Sequence, residues 1–125
     1  WLEPYGIDPD TAFVALIPYS GQVVTHFERR RELGLPDTQP LVDDMAPLSY
    51  VRPDCRPMLI LSGDREREML GRYEENAYFW RMMRVAGHPD VRICEFDGFD
   101  HGNMPQAGHF VAVRYIREME RRMDR

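Results

Sequence analysis

Three short runs of apolar residues along the chain predict β-strands. Residues 12–17 form a continuous apolar run, which is typical of a strand buried on both faces of a sheet. Residues 57–62 predict a second strand and residues 91–96 a third. The third run alternates in part between apolar and polar positions, which indicates a place nearer the edge of the sheet.

Helical spacing replaces the strand pattern between and after the last two strands. Residues 72–86 predict a helix that ends near Gly87, and its apolar positions are Tyr73, Ala77, Trp80, Met83 and Val85. Residues 106–122 predict a last helix that buries Phe110, Val113, Ile116 and Met119. Strands that alternate with helices favour an α/β fold with a mostly parallel sheet and flanking helices.

The segment 20–54 differs from the rest of the chain because it is rich in proline and poor in strand-like runs. We expect short helices at about 24–31 and 42–45, in an insertion that covers a site as a lid does. Three strands are few for a parallel sheet, which typically has about 4–6 strands with helices on both faces. Residues 1–125 are therefore expected to be a single but partial domain, the C-terminal part of a larger α/β fold.

Composition and charge exclude several classes of function. The net charge of −5 gives no general attraction to nucleic acid or to an anionic membrane. No run approaches the roughly 18 apolar residues of a membrane span. Cys55 and Cys94 lack metal-binding spacing and are expected to be buried free thiols in a reducing, cytoplasmic compartment. No glycine-rich nucleotide-binding motif follows a predicted strand, so no cofactor is expected, and no metal is expected because metal-ligand spacing is lacking.

Two polar loops follow the second and third predicted strands. Residues 63–66 (Gly-Asp-Arg-Glu) follow one strand, and residues 98–102 (Gly-Phe-Asp-His-Gly) follow the other. Ligands of open α/β sheets bind at the carboxyl ends of strands, and neighbouring parallel strands would bring these loops together. A carboxylate there can orient one imidazole nitrogen of His101 and leave the other free to accept a proton from a hydroxyl.

Each of these residues also has an ordinary structural interpretation. His101 can be a loop histidine, and the acidic residues Asp64, Glu66 and Glu68 can form a solvated turn paired with neighbouring arginines. The remaining histidines are expected in loops, at the surface or in a structural role, namely His26, His88 and His109. A metal site that combines His101 with Asp97 and Asp100 is conceivable, although its spacing is not diagnostic.

Taken together, four motifs resemble the C-terminal half of an α/β-hydrolase of the esterase/lipase type. The motif "PMLILSGDRE" is similar to the penultimate strand and acid loop of that fold, and "GFDHG" to the loop of its catalytic histidine. The stretches "DDMAPLSYVRPDCRPMLIL" and "IPYSGQ" are similar to the lead into the acid strand and to the strand before the lid. The resemblance implies that His101 is the general base and that Glu66, three positions after Gly63, is the acid; Asp64 is the competitor for that role.

The third member of a serine-hydrolase triad is missing from the sequence. The G-x-S-x-G motif of the family does not occur, and none of Ser20, Ser49 and Ser62 has that context. The resemblance therefore implies the C-terminal portion of a serine carboxylesterase that acts on small-molecule esters and needs an N-terminal half for its nucleophile. A non-catalytic half-domain that acts in assembly or binding, with an exposed strand edge that favours self-association, is the alternative.

Overall fold

The computed structural model describes residues 2–124, which fold around a small parallel sheet. It contains the strands β1 (Met58–Gly63) and β2 (Val91–Phe96) and the helices α1 (Pro9–Ala12), α2 (Phe27–Glu32), α3 (Arg72–Val85) and α4 (Met104–Met123). Two short 3-10 helices lie at Glu3–Tyr5 and Pro47–Tyr50. The two strands and the two long helices lie within two residues of their predicted positions.

The strands β1 and β2 are parallel and in direct register, with Met58 opposite Val91 and Gly63 opposite Phe96. Every residue of β1 is buried, whereas every residue of β2 is partly exposed. β1 is therefore the central strand, and β2 has the more peripheral place that its partial alternation predicted.

The first predicted strand, residues 12–17, is not formed as expected. Ala12 ends helix α1, and the chain then pairs with β1 only through isolated parallel bridges, from Leu16 to Met58 and from Tyr19 to Leu61. Pro18 lies between the two bridges, and its carbonyl accepts a hydrogen bond from Leu61 while its nitrogen has no hydrogen to donate. The missing donor interrupts the ladder, so this segment is extended but irregular.

Helices α3 and α4 cover opposite faces of the sheet. On one face, Met58 and Ile60 of β1 pack with Phe79 and Met83 of α3. On the other face, Leu59 and Leu61 pack against a buried stripe of α4 that includes Met104, Ala112, Tyr115 and Met119. This arrangement is the α/β layer architecture that the order of elements predicted.

The buried faces of both helices differ from those predicted. On α4, Met119 is 4% exposed, but Phe110 is 81% exposed, and Val113 and Ile116 are also exposed. The buried residues recur at spacings of three or four and include Gly108, which comes so close to Tyr19 that a Cβ would lie 2.9 Å from its ring. On α3, polar Arg72 and Asn76 take buried positions, whereas Val85 is exposed.

The proline-rich segment 20–54 is held by polar contacts and by the packing of Val23, Leu48 and Val51 in and against the core. Its one α-helix is α2, whereas the helix expected at 42–45 is replaced by the 3-10 helix that begins at Pro47. Thr25 is fully buried and donates to Asp43 Oδ1 at 2.6 Å, and the Asp43 N–H donates back to the Thr25 hydroxyl. The Thr25 hydrogen bond is the largest influence that lowers the pKa of Asp43.

Neither cysteine forms a disulfide, and both thiols are half-buried. Burial raises the pKa of Cys55 and that of Cys94, which favours the protonated thiol. Within residues 2–124, no helix combines the length and the apolar character that crossing a bilayer requires.

Candidate functional site

The loops after β1 and β2 lie side by side, and Asp64 joins them. Its carboxylate accepts hydrogen bonds from the N–H of Gly98 at 2.7 Å and of Glu66 at 2.8 Å, and its own N–H donates to the Phe99 carbonyl. The Gly98 and Glu66 hydrogen bonds lower the pKa of Asp64 and so keep it ionised. Asp64 therefore fixes the position of one loop relative to the other.

Glu68 and His101 form an acid–imidazole pair where these loops meet. Glu68 Oε1 lies 2.7 Å from His101 Nδ1, and because a carboxylate can only accept, Nδ1 carries the hydrogen. The Glu68 side chain is 0% exposed, whereas that of His101 is 44% exposed. The pair thus has a buried acid behind a ring whose other nitrogen, Nε2, is not bonded to Glu68.

The carboxylate of Glu68 is held by donors on both oxygens. Oε2 accepts from the Ser20 hydroxyl at 2.5 Å and from the Gly63 N–H at 3.1 Å, and Oε1 also accepts from the Met69 N–H at 2.9 Å. Burial raises the pKa of Glu68, but the hydrogen bonds from Ser20, Met69 and Gly63 outweigh it and leave the pKa below its ordinary value. Glu68 is therefore a buried carboxylate that stays charged.

Gly63 allows the acid and histidine loops to approach the end of β1 this closely. A Cβ at this position would lie 2.7 Å from the Phe99 carbonyl oxygen and 2.9 Å from Glu68 Oε2. Both distances are shorter than a real Cβ contact. A glycine is thus required at the end of β1 for steric reasons.

The predicted pairing of Glu66 with His101 is wrong, because Glu68 occupies that place. Residues 64–68 form one helical turn, in which the N–H groups of Arg67 and Glu68 both donate to the Asp64 carbonyl. The turn leaves Glu66 exposed and returns Glu68 to the strand end. The prediction of an acid three positions after Gly63 assumed a loop that returns to the strand end at Glu66 and not at Glu68. The sequence signal that could have indicated Glu68 is the polar run after Gly63, which is long enough to form a turn.

The other histidines lie away from this pair. His88 lies in the loop between α3 and β2, as expected, but it is buried there, and its Nε2 lies 2.9 Å from the Cys55 carbonyl oxygen. His26 is exposed at the start of α2, where its Nδ1 accepts from the Glu28 N–H. His109 Nδ1 lies 3.1 Å from the Tyr19 hydroxyl. Within residues 2–124, no cluster of three or more metal-binding side chains is found at these positions or elsewhere.

The three serines have no exposed, unoccupied hydroxyl near the pair. Ser20 is buried and donates to Glu68, and Ser62 is fully buried inside β1. Ser49 donates to the Asp43 carbonyl at 2.6 Å in the segment 20–54. Each of the three hydroxyls is therefore buried or already bonded within the chain.

A pocket of about 210 Å³ lies between the segment 20–54 and the chain that follows Glu68. Phe27 and Arg30 line it from one side, and Met69 and Leu70 from the other. Met45, in the same segment as Phe27, does not line this pocket and is exposed.

Comparison with solved structures identifies the fold. Esterase 2 of Thermogutta terrifontis phosphoramylated by tabun matches with a TM-score of 0.64 and 22% identity, over 85% of this chain and 41% of that chain. The thermophilic T. terrifontis esterase Est2 with propionate bound gives a TM-score of 0.62 and 20% identity, over 85% of this chain and 43% of that chain. No protein-family model and no curated protein matches the sequence. The chain therefore has an esterase-like α/β fold and spans about two fifths of the length of those esterases.

Proposed function

We propose that this chain is the acid–histidine portion of a serine hydrolase that acts on carboxylic esters. The observation that carries the proposal is the contact between Glu68 and His101, at the carboxyl ends of adjacent parallel strands. The esterase-like fold supports the same activity. The nucleophilic serine and the oxyanion-binding amides would come from a preceding segment.

In this mechanism, His101 acts as general base and then as general acid. Its Nδ1–H stays bonded to ionised Glu68, so that Nε2 is the nitrogen that accepts the proton of the serine hydroxyl. The serine oxygen attacks the ester carbonyl, and the protonated ring returns the proton to the alcohol that leaves. Glu68 stabilises the imidazolium in both steps, and its low pKa keeps it charged when the ring is charged.

The segment 20–54 is proposed to cover the substrate as a lid. The pocket of about 210 Å³ supports this, because it lies between the segment and the residues that follow the acid. Phe27 and Met69 would contact the apolar part of a small ester.

The test is the hydrolysis of short-chain p-nitrophenyl esters by a longer polypeptide that carries this chain together with the sequence encoded upstream of it. We expect activity that His101→Ala lowers by at least roughly 10⁴-fold, as in other serine hydrolases. The control Arg81→Ala alters an exposed side chain of α3 and should change kcat/KM by no more than about twofold. A folded polypeptide that contains a serine elbow but lacks esterase activity would contradict the proposal.

A second candidate function is that of a non-catalytic module for assembly. The observation that favours it is the edge at residues 15–19, where the backbone groups of Ile17 and Tyr19 make no hydrogen bond within residues 2–124. Exposed Phe13, Val14 and Phe110 add apolar surface to the chain. An uncovered edge of this kind pairs readily with another strand.

Sedimentation of the isolated chain over a range of concentrations tests this candidate. Self-association that Leu16→Lys weakens would favour assembly through the edge, because Leu16 is exposed there and a lysine on an edge strand opposes pairing. A monomer at every concentration would count against it. The esterase test above decides separately whether the acid–histidine pair is catalytic.

A further inference from the structure

Ser20 has a backbone conformation that a serine rarely adopts. Its φ is 43°, and it is the one non-glycine residue with positive φ among residues 2–124. A side chain is strained in this left-handed region, whereas glycine fits it without cost. Ser20 is also 2% exposed. A buried serine at a position suited to glycine raises the question of what its hydroxyl does.

The backbone of Ser20 is fixed from two directions. Its N–H donates to the Leu61 carbonyl of β1 at 2.7 Å, and its carbonyl accepts from Arg72 Nη1 of α3 at 2.5 Å. Arg72 is itself buried and pairs with Glu75 at 2.9 Å. The surrounding structure therefore holds the strained conformation, as is common where strain serves a function.

The hydroxyl of Ser20 contacts the Glu68 oxygen that His101 does not use. It donates to Oε2 at 2.5 Å, from a segment 48 positions earlier in the chain. The Gly63 N–H is the other donor to Oε2, at 3.1 Å. Without the hydroxyl, a buried carboxylate would lose a donor on this side and become easier to protonate and to rotate.

We propose that Ser20 is a positioning residue, which holds the carboxylate of Glu68 in the orientation that its contact with His101 requires. This inference rests on the proposed function of the Glu68–His101 pair and deepens it. Glutamate has one more rotatable bond than aspartate, so its carboxylate needs a restraint on the far oxygen. Ser20 supplies that restraint from the segment that pairs with β1.

The test uses Ser20→Gly in the chain itself, because glycine relieves the strained φ while removing the hydroxyl together with its Cβ. We expect the variant to remain folded, which its melting transition measures, and to have a smaller population of His101 rings protonated at Nδ1. Ring-nitrogen chemical shifts of isotope-labelled histidine measure that population. On acidification, the Glu68–His101 contact should be lost at a higher pH than in the original chain, since Glu68 has lost a donor. Ser49→Ala is the matched control, because it removes a serine hydroxyl bonded outside the pair.

Glu68→Gln separates failure of this inference from failure of the proposed function. If Glu68→Gln alters the His101 signals and Ser20→Gly leaves both the signals and their pH dependence unchanged, the positioning role is overturned and the pair stands. If Glu68→Gln leaves the signals unchanged, both are overturned. In the esterase-active polypeptide, Ser20→Gly should lower kcat by roughly ten- to a hundredfold with little change in KM, as loss of a partner behind a functional group does elsewhere.

Discussion

Glu68 places a negative charge where its side chain has no access to solvent, and four hydrogen bonds stabilise it there. The donors are Ser20, Gly63, Met69 and His101. A buried carboxylate is costly unless its oxygens are paired in this way. At the scale of single residues, the site therefore depends on the groups around the acid as much as on the acid.

Gly63→Ala should damage this environment. The added Cβ would meet the Phe99 carbonyl oxygen at 2.7 Å and Glu68 Oε2 at 2.9 Å, so the two loops must separate. We expect a loss of about 1–3 kcal/mol in the free energy of unfolding, measured with urea. Gly102→Ala is the matched control, since its Cβ would lie 3.5 Å from the nearest atom, an oxygen of Asp100. Equal stability of the two variants would contradict the steric role of Gly63.

The sequence predicted the place of His101 but not its carboxylate partner. A histidine in a short loop after a strand has a position fixed by the strand end. The partner depends on how the chain from Asp64 to Glu68 turns, and that turn is set by hydrogen bonds to the Asp64 carbonyl. Several acidic residues in one loop make the choice a matter of backbone geometry, which residue spacing alone does not determine.

At the scale of elements, α4 carries apolar residues on more than one of its faces, and one of these faces is buried. Periodicity predicted the helix itself, but tertiary packing decided which residues face the sheet. The close approach of Gly108 to Tyr19 brings the face with Ala112 and Met119 against β1. Phe110 and Ile116 are consequently exposed in the isolated chain.

Alanine substitutions on the two faces of α4 should have unequal effects. Met119 is 4% exposed, so Met119→Ala should lower the free energy of unfolding by about 2–5 kcal/mol. Ile116 is 46% exposed, and Ile116→Ala should cost less than about 1 kcal/mol. Urea unfolding of both variants measures the difference. A greater loss for Ile116→Ala would mean that the helix is rotated from the orientation described.

The contact between β2 and α4 should make stability depend on pH. Hydrogen bonds from Arg92 to Glu118, at 2.8 Å to each oxygen, are the main reason that the pKa of Glu118 is about 2 rather than its ordinary 4.5. Because the folded value is the lower one, this contribution to stability is complete above about pH 4.5 and is lost as the pH falls toward 2.

Glu118→Gln should therefore remove part of the loss of stability on acidification. The variant should be less stable than the original chain at about pH 6, and the gap should narrow by about pH 3. Urea unfolding at the two pH values measures the gap. Glu120→Gln, on the exposed side of α4, should show no such convergence. A gap that stays constant with pH would show that the Arg92 pair does not stabilise the fold.

At the scale of the whole molecule, the chain is an α/β layer in which helices cover both faces of a two-stranded parallel sheet. The order of elements predicted the layers, and the small number of strands predicted a partial sheet; the chain spans about two fifths of each esterase that it resembles. The first strand was predicted too early in the chain, since the bridges to β1 are at Leu16 and Tyr19. The run of apolar residues also did not reveal that Pro18 interrupts the ladder of hydrogen bonds. The segment 20–54 was hard to predict because buried polar bonds, such as that of Thr25 to Asp43, determine its path.

The parallel pairing of β1 with β2 brings Glu68 and His101 together from positions 33 residues apart, and the proposed function depends on that contact. Nuclear magnetic resonance of labelled histidine in Glu68→Gln and Glu66→Gln tests that claim most directly. We predict that Glu68→Gln shifts the His101 ring toward a mixture of Nδ1- and Nε2-protonated forms, whereas Glu66→Gln leaves the ring protonated at Nδ1. A spectrum of His101 that responds to Glu66→Gln and not to Glu68→Gln would contradict the account.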